Sequence, residues 1–255
     1  MHAPRDLPVI AADVLTRIRA RRPRVHAITN SVAQNFSANM LLAAGAIPSM
    51  TTDPDEIGEF VASADALLVN LGTLDAERRS AIEAALAAAR DRVPWVLDPV
   101  FVDRSAPRAA FARSLLSRRP RAIRLNGAEL AALAGAEADA GALARFAREH
   151  ATVVGLTGDR DVVSDGARDA AIANGDPLMA KVTAMGCAAS ALVGACLAVE
   201  PDAWNATVAG LILIGVAGEV AAGEARGPGS FAVAIVDALH RLDAATIVAR
   251  AKVTR

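Results

Sequence analysis

The stretch KVTAMGCAASALVGACLAV, residues 181–199, decides how the rest of the chain is interpreted. Its first residues are typical of a short extended segment, and a helix rich in small residues is predicted to follow Gly186 and Cys187. The first N–H groups of a helix have no partner within it and lie at the positive end of the helix dipole. An anion-binding nest is therefore predicted. It consists of the backbone of Ala184, Met185, Gly186 and Cys187.

Cys187 places a thiol inside this nest. The positive end of a helix dipole stabilises a thiolate, so the pKa of this thiol is predicted to be low and Cys187 is the candidate catalytic residue. The alternative is a buried structural cysteine at a tight turn. The polar residues described below favour the reactive interpretation.

The composition indicates an aliphatic globular enzyme in one domain, residues 1–255. Hydrophobic residues form 53% of the chain, whereas aromatic residues form 3% and tyrosine is absent, which argues against base-stacking surfaces. The 27 Lys and Arg residues balance 28 Asp and Glu residues, so nucleic acid is not an expected partner.

Features of the chain also favour a cytoplasmic protein without a membrane span. Cys187 and Cys196 are nine positions apart on one predicted helix, which suits neither a disulfide nor a zinc site. The N-terminus carries acidic residues where a signal peptide needs a basic and then apolar run. The most apolar window, residues 208–217, is too short to cross a bilayer and predicts a buried helix.

Predicted strands alternate with predicted helices along the chain. Strands are expected at 24–29, 47–50, 66–70, 94–98, 121–125 and 152–157, with a meander over 161–164 and 169–173. Helices are expected at 10–20, 32–44, 75–90, 107–117, 126–134, 138–150, 204–222 and 231–242. This alternation predicts an α/β fold with a mainly parallel central sheet covered on both faces.

Two helix starts are predicted from capping patterns. Ser31 with Gln34 has the form of a capping box for the helix that ends at Gly45. Asp53, followed by a proline, predicts the N-cap of a short helix through residue 62. The small-residue segment 135–141 is the one weak point within the domain.

Polar residues stand at the carboxyl ends of the predicted parallel strands, the edge at which open α/β sheets bind ligands. They are Asn30, Asn70, Asp98, Asn126 and Thr157. Each has an ordinary turn-capping explanation on its own, but together they predict a site.

Asp98 and Glu129 are the candidate ligands for a hydrated Mg²⁺, which prefers carboxylate and phosphate oxygens. The alternative is a pair of solvated loop carboxylates. With Arg124 and the nest nearby, the set predicts phosphoryl transfer from a nucleotide. The chain contains neither the G-x-x-x-x-G-K-[ST] pattern of P-loop enzymes nor the G-x-S-x-G pattern of hydrolases. Its four histidines lack ligand spacing, and His26 is predicted to be a core residue.

Several segments in this order resemble the hydroxyethylthiazole kinases of thiamine salvage, a branch of the ribokinase-like fold. They are VHAITNSVAQNFSANMLLAAGAIPSM, ALLVNLGTL, PWVLDPV, IRLNGAEL, GLTGDRDVVSDG, VTAMGCAASAL and GPGSF. The resemblance covers residues 25–242. It implies a three-layer α/β/α sandwich that uses ATP and Mg²⁺ to phosphorylate the hydroxyethyl group of 4-methyl-5-(2-hydroxyethyl)thiazole. It also implies a homotrimer with sites between subunits.

The resemblance assigns roles position by position. It implies thiazole contacts at Met50, Asn30 and the backbone of Ala184. It implies ATP contacts at Arg124, Asn126 and Thr157, and metal and phosphate contacts at Asp98 and Glu129. Cys187 occupies the place of an aspartate base in other ribokinase-like enzymes. Loss of its thiol is expected to weaken activity without necessarily abolishing it.

The chain departs from the family pattern at two residues and one segment. Ala184 replaces the first glycine of the nest, and it is strained if the backbone needs a positive φ. Leu125 replaces the glycine between Arg124 and Asn126 and is expected to add bulk beside the phosphates. The stretch after Ala134 and Gly135 is also shorter than usual in the family.

Three other functions remain open at this point. A kinase of another small heterocyclic alcohol, such as hydroxymethylpyrimidine, and a dehydratase of damaged nicotinamide cofactor share the fold but typically have an aspartate in place of Cys187. A non-catalytic protein that binds thiazole or nucleotide is the third, and the joint presence of Asp98, Glu129, Arg124 and Cys187 argues against it.

Overall fold

This computed structural model describes residues 7–90, 92–135 and 140–254. Its central feature is a sheet of nine strands among these residues. Its strands are β1 (Arg24–Ile28), β2 (Ile47–Ser49), β3 (Ala66–Asn70), β4 (Trp95–Asp98), β5 (Ala122–Asn126), β6 (Val153–Thr157), β7 (Asp161–Ser164), β8 (Asp169–Ile172) and β9 (Val253–Thr254). They lie in the order β2-β1-β3-β4-β5-β6-β7-β8-β9. Neighbours from β2 to β6 pair in parallel, and those from β6 to β9 pair antiparallel.

Helices cover both faces of this sheet. They are α1 (Leu7–Arg21), α2 (Gln34–Ala44), α3 (Ile57–Ala62), α4 (Ala76–Ala89), α5 (Ala106–Leu116), α6 (Gly127–Ala134), α7 (Ala140–His150), α8 (Met185–Leu197), α9 (Ala203–Glu224), α10 (Pro228–Arg241) and α11 (Ala244–Arg250). One hydrophobic core lies under α1, α2 and α8 to α11, and a second lies under α3 to α7. The predicted α/β sandwich with a mainly parallel sheet is confirmed.

Helix α9 is the central helix of the first core. Its 22 residues are long and apolar enough to cross a membrane by length and composition, but 78% of its apolar window is buried inside the protein. It packs against α1, α8 and α10. The prediction of a buried helix over residues 208–217 is therefore confirmed.

The predicted capping box at Ser31 and Gln34 is wrong. Helix α2 begins later, at Gln34, and Ala33 at its N-cap makes no side-chain capping bond. The N–H of Ala33 donates instead to Oδ1 of Asn30 (3.0 Å), so the asparagine holds the entry turn. The predicted end is confirmed, because Gly45 adopts a left-handed conformation with φ of 99°.

Other predicted boundaries also move. Helix α3 begins at Ile57, because the Asp53 carboxylate accepts the N–H of Asp55 (2.9 Å) and closes a turn of its own. Val182 is extended but follows a 3-10 turn and belongs to no strand. The predicted helix start at 138 and most of segment 135–141 lie outside the described residues, as does the shortened stretch.

Ala184 stands immediately before α8 in a left-handed conformation, with φ of 67° and ψ of 4°. Alanine pays a steric penalty in this region that glycine avoids. Ala184 is expected to be strained if its φ is positive, and the φ of 67° shows that this condition is met.

His26 is a fully buried residue of β1, as predicted. Its Nδ1 lies 2.8 Å from the Ser49 hydroxyl and its Nε2 lies 3.1 Å from the Thr51 carbonyl oxygen. Because a carbonyl oxygen only accepts, Nε2 carries the proton and Nδ1 accepts from Ser49. Burial lowers the pKa of His26 to about 4.

Stability should fall between pH 7 and pH 5 because of His26. The unfolded chain takes up a proton near the ordinary histidine pKa of 6.5, whereas the folded pKa is about 4, so this stability is present above pH 6.5 and is lost as pH falls toward 4. We expect protonation linked to His26 to remove about 2 kcal/mol of unfolding free energy by pH 5, relative to its value well above pH 6.5. Urea unfolding at both pH values checks this. His26→Gln should lose less stability over the same interval, and equal losses would contradict the assignment.

Ala184→Gly should stabilise the protein by about 1 kcal/mol, because glycine relieves the left-handed strain before α8. Ala198 is a matched control at the other end of the same helix, where φ is −64°. Ala198→Gly should destabilise the protein, because glycine gains nothing in a right-handed conformation. Chemical denaturation of both variants measures the difference, and a loss of stability in Ala184→Gly would refute the strain.

Candidate active site

A row of hydrogen-bonded side chains crosses the carboxyl ends of three neighbouring strands. Asn30 follows β1, Asn70 ends β3 and Asp98 ends β4. Nδ2 of Asn30 donates to Oδ1 of Asn70 (3.2 Å), and Nδ2 of Asn70 donates to Oδ2 of Asp98 (2.7 Å). The predicted convergence of these polar residues is therefore confirmed.

Two residues of helix α8 form hydrogen bonds with the two ends of this row. Nδ2 of Asn30 also donates to Sγ of Cys187 (3.2 Å), and the hydroxyl of Ser190 donates to Oδ2 of Asp98 (2.8 Å). Sequence analysis missed Ser190. The available signal was its spacing, because a residue three positions after Cys187 lies on the same face of a helix.

Asp98 is fully buried and only half satisfied. Its Oδ2 takes both hydrogen bonds described above, whereas Oδ1 is buried without a hydrogen-bond partner. Burial raises the pKa of the Asp98 carboxyl, and the charge of Arg124 opposes the rise. An unpaired buried carboxylate oxygen is costly unless a cation or donor meets it.

Glu129 ties α6 to the loop after β4. Its Oε2 accepts the N–H of Asn126 (2.9 Å), while Oδ1 of Asn126 accepts the N–H of Glu129 (3.0 Å), which forms a capping box. Its Oε1 accepts the N–H of Phe101 (3.0 Å). Burial, and then the nearby Asp98, raise the pKa of Glu129. The Asn-x-x-Glu spacing was the overlooked sequence signal for this box.

Asn126 and Thr157 face each other across the pair β5 and β6. The hydroxyl of Thr157 donates to the carbonyl oxygen of Leu125 (3.3 Å). The Leu125 side chain is fully buried in the second core, so the expectation that it adds bulk beside the phosphates is wrong. Successive side chains of a strand point to opposite faces, so Leu125 faces away from its neighbour Arg124.

The Arg124 guanidinium lies directly against the first turn of α8. A Cβ added to Gly186 would meet Nη1 of Arg124 at 2.6 Å, so only glycine leaves room for this approach. Nε of Arg124 is buried without a hydrogen-bond partner. Burial raises the pKa values of Asp98, Glu129 and Cys187, and the charge of Arg124 opposes each rise, which makes Arg124 the positive centre of the site.

The low thiol pKa predicted for Cys187 is wrong. Burial, followed by the negative charge of Asp98, raises the pKa of Cys187 to about 11. Hydrogen bonds from Asn70 and Asn30 oppose the rise without cancelling it. The thiol is therefore protonated at neutral pH, because burial and the charge of Asp98 outweigh the two asparagine hydrogen bonds and the charge of Arg124.

The predicted nest coincides with the start of α8, and its role in binding an anion stays a prediction. Left-handed Ala184 followed by helical Met185 gives the succession of conformations that turns N–H groups toward one point. Met50 follows β2 and is half-buried against the first core, to which α8 also contributes. Among the described residues, no group of three or more His, Cys, Asp or Glu side chains could hold a metal ion.

A cleft of about 890 Å³ lies at the opposite edge of the sheet. Trp95 and Arg121, at the starts of β4 and β5, contribute to its lining, together with Arg90 and Arg119 after α4 and α5. Cations at helix C-termini stabilise the negative end of the helix dipole, which accounts for these arginines without a ligand.

Comparisons with known proteins identify the family of this chain. Residues 15–245 match the Hydroxyethylthiazole kinase family. The chain is 45% identical over 248 residues to the hydroxyethylthiazole kinase of Granulibacter bethesdensis, covering 92% of this chain and 90% of the relative. It is similar to the structure of the hydroxyethylthiazole kinase protein from Pyrococcus horikoshii OT3, with a TM-score of 0.92 and 39% identity over 96% of this chain and 98% of that one.

A more distant structure supports the fold alone. A ribokinase-like superfamily protein from Enterococcus faecalis V583 has a TM-score of 0.71 at 14% identity, covering 89% of this chain and 93% of that one. Family membership rests on the family match over residues 15–245 and not on this distant structure. The chain belongs to the hydroxyethylthiazole kinase family.

Proposed function

We propose that this protein transfers the γ-phosphoryl group of ATP to the hydroxyl group of 4-methyl-5-(2-hydroxyethyl)thiazole. Family membership supports the reaction. The observation that carries it is the buried Asp98, whose free Oδ1 lies in a site shared with Arg124 and the start of α8. A negative group, a positive group and a helix N-terminus are the parts that phosphoryl transfer needs.

The ATP contacts are proposed at the ends of β5 and β6. Arg124, Asn126 and Thr157 would bind the nucleotide, with the Arg124 guanidinium closest to α8. The N–H groups of the nest, residues 184–187, would take the charge that develops on the transferred phosphoryl group. Both sets of donors lie at the same edge of the sheet.

The thiazole contacts are proposed on the other side of Asp98. Met50, Asn30 and the backbone of Ala184 would line this pocket. Asn30 supports the assignment, because it touches the thiol of Cys187 and stands next to Asn70 in the hydrogen-bonded row. The substrate hydroxyl would then lie between the thiol and the nest.

Mg²⁺ fits the residues present. Oδ1 of Asp98 is a buried oxygen without a partner, and Glu129 is a second carboxylate, close enough that burial and then the charge of Asp98 raise the pKa of Glu129. Magnesium keeps several waters and binds phosphate oxygens, so one or two carboxylates suffice. Bound there, it would neutralise phosphate charge. It would also give the unpaired Oδ1 of Asp98 a cation as its partner.

The transfer forms a bond between the substrate oxygen and the γ-phosphorus and breaks the bond between that phosphorus and the bridging oxygen, which leaves with its electrons as ADP. The proton of the hydroxyl must also leave. Because the thiol of Cys187 is itself protonated, we propose that it orients the hydroxyl and that a phosphate oxygen of the transferred group takes the proton. Cys187 is then helpful rather than essential.

The assembly and location are proposed from family membership. We infer a single kinase domain over residues 1–255, a homotrimer with sites between subunits, and a cytoplasmic location. Val32 supports an interface near the site. This apolar residue lies two positions after Asn30 in the sequence, and its side chain is 62% exposed. Cys187 and Cys196 are free thiols, which fits a reducing compartment.

Asp98→Asn should lower kcat by at least about 100-fold, because it removes the buried charge that serves the metal and phosphates. Cys187→Ala should lower kcat by only about 10-fold, because the protonated thiol is a weak base. The assay follows ADP release and phosphothiazole by mass spectrometry with Mg·ATP and hydroxyethylthiazole. Cys196→Ala, which changes a buried cysteine of the same helix, is the matched control and should keep its kcat.

Two outcomes would contradict these assignments. If the intact protein binds thiazole and forms no product at any ATP concentration, it is a binding protein and the kinase activity is wrong. If Cys187→Ala is as inactive as Asp98→Asn, the thiol carries the proton transfer and the minor role proposed for it is wrong.

A further inference from the structure

The turn between β6 and β7 contains a carboxylate to which no role has been assigned. β6 ends at Thr157 and β7 begins at Asp161. Oδ1 of Asp161 accepts the N–H of Gly158 (3.1 Å), so its side chain reaches back across the turn. The residue that it holds is the direct neighbour of the proposed ATP contact Thr157.

Asp161 also acts on the positive centre of the site. Arg124, on β5, attracts the Asp161 carboxylate, although burial raises the pKa of that group to about 6. Nε of Arg124 is buried without a hydrogen-bond partner, and a nearby negative charge lowers the cost of burying the guanidinium. Asp161 therefore bonds to the nucleotide end of the site at Gly158 and adds a negative charge that interacts with Arg124.

The other groups around Asp161 do not compete for its carboxylate. Its cross-strand partner in β8 is Ile172, which is apolar. The neighbouring Arg160 is engaged by the Thr254 hydroxyl. Within the described residues, the contacts that influence Asp161 are the Gly158 N–H and the Arg124 charge.

We propose that Asp161 is a positioning residue for ATP, whose ionised carboxylate holds the Thr157–Gly158 backbone and the Arg124 guanidinium in the geometry that binds the nucleotide. A hydrogen bond to a charged acceptor is stronger than one to a neutral acceptor, so the charge as well as the oxygen matters. The inference rests on the proposed function, because it assumes that ATP binds beside Thr157.

Asp161→Ala should raise KM for ATP by about 10-fold, and Asp161→Asn, which keeps an acceptor oxygen but loses the charge, should raise it by about 3-fold. kcat and KM for the thiazole should change little. Asp165→Ala is the matched control, because Asp165 also closes a turn by accepting a backbone N–H (from Ala167, 2.9 Å) but lies at the next turn of the meander. Its KM for ATP should not change.

The pH dependence separates positioning from a purely structural role. KM for ATP of the wild type should rise between pH 7.5 and pH 5.5, as Asp161 takes up a proton near pH 6. Asp161→Asn should show a smaller rise, and this comparison removes the titration of ATP itself, since both proteins bind the same nucleotide. ATP titration calorimetry at the two pH values gives the same comparison without turnover.

Each failure has its own signature. If the wild type neither binds nor consumes ATP, the proposed function fails. If the wild type binds ATP and both Asp161 variants match it at both pH values, or bind ATP more tightly, the inference about Asp161 is overturned. Equal increases in both substrate KM values in Asp161→Ala and Asp165→Ala would show only a structural role and would also overturn it.

Discussion

The burial of a carboxylate at the end of β4 is the constraint around which the site is arranged. Asp98 cannot lie in the interior without donors, and the structure supplies them from a neighbouring strand, Asn70, and from a helix, Ser190. Arg124 adds positive charge from the strand on the other side. One oxygen is left unpaired after all of this. The strands, α8 and the charged groups are therefore fixed relative to one another by the same buried group.

The two edges of the sheet have opposite electrostatic character. Helices α2, α4 and α6 begin at the carboxyl ends of the strands, where α8 also presents its N-terminus, so positive dipole ends gather there. Helices α1, α4, α5 and α7 end at the opposite edge, where arginines such as Arg119 and Arg121 follow them. An anionic substrate is favoured at the first edge, while the second edge already has its compensating cations.

The thiol of Cys187 illustrates how two effects of known direction compete. The asparagine hydrogen bonds and the charge of Arg124 favour a thiolate, but removal from water and the nearby Asp98 favour the thiol, and these dominate. The same Asp98 charge that suits a metal and phosphates thus works against a cysteine base. This opposition is the reason that the proposed reaction uses Cys187 to orient the hydroxyl and not to remove its proton with sulfur.

The sequence by itself determined the alternation of strands and helices, the edge at which Asn30, Asn70 and Asp98 gather, and the buried character of His26, because these follow from local patterns and from the topology of parallel sheets. Only the tertiary structure decided the Asn30 cap in place of the Ser31 box, the inward side of Leu125, the bond of Ser190 to Asp98 and the protonated thiol. The last three depend on burial or on a partner distant in the chain, and neither quantity is encoded in local spacing. The Asn30 bond is local and replaces the Ser31 pattern because Asn30 is itself held by the distant Asn70 and Cys187.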